Sequence, residues 1–551
     1  MSRKKICRIW AAAWLAASLP YAISQSIAPA DSFRIAGTVV SKADGHHLSN
    51  ARVILRNVKS PQKADSVITG DDGSFQFTGL AAGKYSITGA KRGFIPASYD
   101  QHELFSTAIV TGAGLNTENL ALKLAPDAVM SGRVLDEAGE PVRQAMVTIY
   151  REDRQEGFDQ IHIFRNAQTD DLGEYEFTPL PPGTFFLSAK AKPWYAFHPH
   201  TDPEPANSGP NAPPPLVTVI DRSLDVAYPL TYYPDATDAD GAAPILVRGG
   251  EHLQFDLHLS PVPALRIVFH VPYDPKNGPV MPHLVQPAFD GMTGVDAVEY
   301  LQPSPGVWEL SGIPAGRYDV RISGREWESQ INGVDLSKNE EVVDATRAEA
   351  MSSVKIKAQI RGETSVPAEL NIGLRVRNKQ LSGWKRVDAK GEAELDSIPP
   401  GKYEVVAWGQ GKLYNVSQVA AEGAQVSGRA VEIAAGSSAT LSVTVSVGTV
   451  EVEGIAKRAG KGFAGAMIVL VPANPEQNHD WFRRDQSDLD GTFSLRGVAP
   501  GPYKVVAIED GWDLDWSQPG VIAAYAKRAR TIEIGNSPHM NLADAVEVQK
   551  K

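Results

Sequence analysis

Trp481, Phe482, Arg483 and Arg484 stand side by side near the end of the chain, pairing aromatic rings with guanidinium groups, the mix most concentrated at binding hot spots. They fall outside every repeated position of the sequence, which marks them as an exposed contact. A second set is Tyr232, Tyr233 and Asp235, in an aromatic and acidic stretch suited to facing a ligand. Trp194 and Trp512 could stack on a sugar ring, although an aromatic at that place could equally plug the end of a sandwich. The densest set of possible metal ligands is His198, His200, Asp202 and Glu204. It lies in a proline-rich stretch without the ligand spacing of a zinc site, so no metal and no cofactor is expected. His102–Glu103 lacks the second histidine of H-E-x-x-H, and no G-x-S-x-G occurs. No catalytic residue is assigned, and the chain reads as a non-enzyme.

The elements that would position these residues repeat. GSFQFTGLAAGKY at 73–85 recurs as GEYEFTPLPPGTF at 173–185, GVWELSGIPAGRY at 306–318, GEAELDSIPPGKY at 391–403 and GTFSLRGVAPGPY at 491–503. The copies lie 100, 133, 85 and 100 residues apart. That period is too long for a stacked solenoid and suits independent domains. Within each copy apolar residues alternate, as in Phe75/Phe77 and Tyr85/Ile87, which is the period of a half-buried strand. The second glycine and its prolines turn the chain between two strands, glycine by permitting positive φ. Gly83/Tyr85, Gly183/Phe185, Gly316/Tyr318, Gly401/Tyr403 and Gly501/Tyr503 then match a tyrosine corner, in which the phenol bonds upstream backbone. Phe185 cannot make that bond. Summed, each unit offers about seven short strands and no good helical periodicity.

Upstream of the phrase stand IAGTVVSKADG at 35–45 with NARVIL at 50–55, and MSGRVLDEAGEPV at 130–142 with AMVTIY at 145–150. These openings, the D-x-x-G-x-[YF]-x-F turn and the [LI]-P-P-G-x-Y corner resemble the carboxypeptidase regulatory-like domain. The resemblance implies an all-β chain of five transthyretin-like Greek-key β-sandwiches, related to Cna-B-type adhesin repeats and starch-binding-like folds. The expected units are 31–126, 127–262 with a proline-rich insert at 196–240, 263–350, 351–448 and 449–548. Openings of the third and fourth are degenerate. Cna-B-type domains often carry Lys–Asn isopeptide links, but the acid expected after the corner is missing, so none is expected here. The motif specifies fold and leaves activity open.

Arg3, Lys4, Lys5 and Arg8 followed by a short apolar run read as a signal peptide over 1–24. Its removal takes the net charge from −11 to −15, which disfavours a nucleic-acid partner. The one cysteine, Cys7, lies inside it, so the mature chain would hold no disulfide. Export without disulfides suits a bacterial envelope: periplasm, outer-membrane surface or exterior. No later apolar run is long enough for a membrane span. Three functions remain open: a scaffold binding polysaccharide through loop aromatics, a spacer or adhesin stalk, and an accessory module for another envelope protein.

Overall fold

Alternating apolar residues make strands that bury one face, and a pair of such faces makes a core. The computed structural model describes residues 32–551 apart from 113, 156–157, 199–220, 274–279, 296–298, 324–327, 348, 362–364, 368, 377–380, 411–412 and 477. The expected signal at 1–24, His200 and most of the proline-rich stretch lie outside the described residues.

The first sandwich shows the plan. One sheet runs Ser74–Leu80, Phe33–Ser41, Leu120–Pro126, Phe94–Ile95, with Phe33–Ser41 antiparallel to the first neighbour and parallel to the second. The other runs Ser60–Ile68, Arg52–Asn57, Gly83–Ala90, whose far edge takes Ala97–Ser98 and Ile109–Thr111. Ile35, Val39, Val53, Phe75, Phe77, Tyr85, Ile87 and Leu122 fill the space between. The parallel pairing of opening and closing strands returns as Val129↔His252, Ile267↔Glu341, Ser353↔Ser438 and Glu451↔His539. Each of these pairs sits over its own buried core. The chain is all-β in tandem sandwiches.

The glycine with left-handed backbone in every copy is the first of the phrase; the second has positive φ only at Gly183 (+159°) and Gly501 (+149°). Gly73, Gly173, Gly306, Gly391 and Gly491 all have φ between +71° and +85°. Each accepts a hydrogen bond from the opening strand, from Val39, Val134, Val271, Ala358 and Ala456 respectively, at 2.7–2.9 Å. A Cβ on Gly391 would stand 2.2 Å from the Ala358 carbonyl oxygen. At the second glycine the phenol folds back instead. The hydroxyls of Tyr85, Tyr318, Tyr403 and Tyr503 donate to the carbonyls of Ala81, Pro314, Pro399 and Ala499 at 3.1, 2.7, 2.6 and 2.9 Å. Phe185 packs edge-on to Phe164, with the Arg151 guanidinium 5.9 Å above its ring.

The fifth sandwich departs from the plan twice. Its last strand, Val546–Lys550, pairs in parallel with both Val450–Arg458 and Gly501–Glu509, tying the two layers together along one edge. A helix, Pro519–Ala526, covers the outer face of a sheet there, so Met467–Pro472 is buried on both sides. Continuous apolar character is what a strand covered on both faces requires.

Candidate functional site

Trp481–Arg484, Trp512 and Tyr232, among the residues that stood out in the sequence, lie at junctions between sandwiches. The loop after the first corner, Tyr99–Ala108, lies against Arg483–Gln486 and the turn that follows it. Arg484 donates to both oxygens of Glu103 at 3.1 and 2.6 Å. Its guanidinium stands 5.1, 5.9 and 4.2 Å from the ring centres of Phe105, Trp512 and Trp516. His102 stacks on Trp512 at 5.0 Å and 6°. The buried Gln486 amide donates to the Asp100 carbonyl at 2.6 Å and to the Thr107 hydroxyl at 2.8 Å. Asp488 accepts from Lys84 at 2.5 Å and from the Ala108 N–H at 3.0 Å. The Leu489 N–H reaches the Ala108 carbonyl, and its side chain packs on the first core. First and fifth sandwiches are therefore clasped, with partners 379 to 408 residues apart.

Exposure of Trp481–Arg484 is the expectation this arrangement corrects. Phe482 is buried against Trp516, and Trp481 stacks on the corner ring of Tyr503. Arg483 donates to the Gly497 carbonyl and to Asn415 of the fourth sandwich. The stretch binds, but within the chain. Trp512 is half-buried in the same clasp.

Tyr232 is likewise no ligand-facing residue. It is 1% exposed, among Tyr150, Phe186, Leu230 and Ala288, with Phe289 of the third sandwich edge-on at 5.4 Å. Tyr233 packs edge-on to Phe255 at 4.8 Å, and Asp235 stays exposed. Burial raises the Tyr232 phenol pKa, and its oxygen has no hydrogen-bond partner. An unsatisfied buried hydroxyl costs about 1–3 kcal/mol. Tyr232→Phe should therefore hold or raise the melting temperature, whereas Tyr232→Ala should cost about 3–5 kcal/mol through the cavity it leaves. Thermal melts of both variants check this, and equal destabilisation would refute the packing account.

His198 is buried, its Nδ1 2.9 Å from Asp225 Oδ1, and so anchors one end of the insert. The acidic turns are backbone acceptors: Asp170 takes the N–H groups of Leu172 and Glu174, and Asp388 those of Lys390 and Glu392. Trp194 alone of the proposed ligand residues is strongly exposed, at 83%. Beside it Tyr195 and Tyr228 both donate to Glu137, the latter at 2.8 Å.

Burial raises the Asp485 carboxyl to about 6, offset in part by the Ser494 N–H at 2.7 Å. Asp488 and Lys84 also act on it, with opposite signs. The folded protein therefore holds the Asp485 proton more tightly than the unfolded chain does. That contribution is full below pH 4 and is lost as pH rises through 6, by an amount on the order of 3 kcal/mol. Asp485→Asn should stabilise the fifth sandwich at pH 8 and change little at pH 4. A gap between variant and parent melts that stays constant with pH would contradict it.

Comparison with known proteins adds the following. No curated protein matches the chain. Among solved structures it is similar to the Bacillus anthracis TIE protein, at 12% identity over 77% of this chain and 76% of that one, TM-score 0.17. It is similar to a streptococcal ancillary pilin at 14% identity, over 52% and 98% of the two chains, TM-score 0.19. A minor pilin of Streptococcus agalactiae gives 10% identity, 42% and 96% coverage, TM-score 0.20. The family model of the carboxypeptidase regulatory-like domain matches residues 34–122 and 129–200. Those spans hold the first two openings, turns and corners, so it is the first two sandwiches that are similar to the carboxypeptidase regulatory-like domain.

Proposed function

We propose that this chain is an exported, non-catalytic scaffold of the bacterial envelope, in which tandem sandwiches close into one body and present surfaces to other envelope components. The supporting observation is the clasp. Side chains that could do chemistry, Arg484, Glu103, Lys84, Asp488 and Gln486, are engaged in joining the first sandwich to the fifth. An extended stalk would touch only from neighbour to neighbour, so the closed arrangement favours scaffold over spacer. Small-angle scattering of the mature protein tests it: a compact particle supports the reading, and a rod of five units sinks it.

Polysaccharide is the ligand class we favour for such a scaffold, on the strength of Trp194. An indole exposed on one face can stack on a pyranose ring, and the neighbouring Glu137 can accept hydroxyl hydrogen bonds. Parent protein should give signal on a glycan array that Trp194→Ala loses without a change in melting temperature. Silence across the array would remove the carbohydrate reading and leave the scaffold standing.

A further inference from the structure

Closure of the chain leaves a cavity of about 1180 Å³ where the first, second, fourth and fifth sandwiches meet. Ligand sites favour such boundaries between domains. Its wall gathers three exposed aliphatic side chains from separate loops and strands: Val58 (39% exposed), Leu104 (97%) and Leu413 (47%). Exposed aliphatics scattered singly need no explanation, but convergence on one cavity marks an interaction surface.

Charge narrows the occupant. The wall carries five cations, Lys84, Arg151, Arg483, Arg484 and Arg496, against four acids, Glu103, Asp153, Asp485 and Asp488. A net positive lining is unusual in a chain of net charge −11. Glu103 is taken by Arg484, Asp488 by Lys84, and Asp153 faces His162 at 3.6 Å. Arg496 is held from outside the wall by Glu451. Arg151 differs: among the described residues no carboxylate pairs with it, its inner Nε is buried without an acceptor, and the rings of Phe164 and Phe185 lie 5.7 and 5.9 Å from its guanidinium carbon. A carboxylate entering the cavity would pair with the outer edge of that guanidinium.

The aromatic rings of the wall are already covered, Trp512 by His102 and Arg484, and Phe105 and Trp516 by Arg484. Those contacts compete with stacking by a sugar ring there. We infer that this cavity receives an acidic peptide segment of a partner protein, its carboxylate on Arg151 and its apolar side chains against Leu104, Leu413 and Val58. Arginine set among apolar contacts is the composition that dominates peptide and protein binding. The inference rests on the closed arrangement, since an open chain has no such cavity.

The test pans a phage-displayed random dodecapeptide library against the full mature chain and measures the strongest peptide by fluorescence polarisation. Enrichment should favour Asp or Glu next to Leu, Ile or Val. Arg151→Gln and Leu104→Ser should each weaken the selected peptide at least tenfold, with melting temperature and scattering radius unchanged. No enrichment, basic peptides, or parent-like affinity in both variants overturns the inference. Displacement of the peptide by sodium laurate at equal or lower concentration reassigns the cavity to lipid, which also overturns it. Scattering of the parent alone reads whether the chain is closed, so failure of the scaffold reading is distinguishable from failure of this one.

Discussion

Arg484→Ala should open the clasp between first and fifth sandwiches and raise the scattering radius of the protein. The side chain is 10% exposed, makes two hydrogen bonds to Glu103 and is caged by three aromatic rings. Removing one partner of a mostly buried ion pair costs about 3–5 kcal/mol, because the other charge is left without compensation. Glu103 is 29% exposed, which places the cost at the lower end. Loss of the cation over Trp516 adds to it. Because Trp516 also covers the fifth sandwich, Glu103→Gln serves as the gentler companion, acting from the other side of the clasp. It should shift the radius in the same direction and leave the melt of the fifth sandwich alone. Two variants with the parental radius at low and at high salt would show that the clasp is held by something else.

Gly391→Ala should unfold the fourth sandwich or come close to it, while Gly401→Ala is tolerated. Gly391 has φ +81°, and an added Cβ would stand 2.2 Å from the Ala358 carbonyl oxygen and 3.0 Å from Val366 Cγ2. Left-handed backbone costs a non-glycine residue about 1–2 kcal/mol. The collision is with backbone held in the opening strand, so relief must shift the ladder itself, and the total is on the order of 4 kcal/mol. At Gly401 the added atom meets Tyr403 at 3.5 Å, an ordinary contact, and the effect stays within about 1 kcal/mol. Amide hydrogen exchange over residues 352–448 reads both. Similar protection in the two variants would mean that the turn yields more readily than its geometry implies.

That contrast also measures how far the sequence could be read. The alternation of Phe75 with Phe77, or Tyr503 with Val505, is a local pattern, and local patterns specify strands. The spacing of the two glycines was visible too, but not that the first takes left-handed φ in every copy. The partner it must meet is a backbone N–H more than thirty residues upstream, which donates to the glycine carbonyl. Met467–Pro472 did hold a legible signal, since six apolar residues in a row demand cover on both faces. The helix Pro519–Ala526 that supplies part of it has weak amphipathic patterning, so the sequence carries little sign of it. The clasp was illegible for another reason. Trp481–Arg484 has the composition of a binding surface, and a contact between two sandwiches of one chain uses the same residue types as a contact between two proteins. Composition flagged the stretch as adhesive. Only the fold says to what.

The clasp also changes how the molecule would bear a pull. Tension applied between the first and last sandwiches passes through Arg484, Glu103, Lys84 and Asp488 and bypasses the three sandwiches between them. Under load the chain would first hold its length, then release the slack of its middle units in one step when these side chains part. The interior sandwiches would stay folded through that step, their separate cores untouched, and the clasp would re-form once the pull ends. A polymer of covalent length 551 residues would thus behave at low force as a short link with a safety catch.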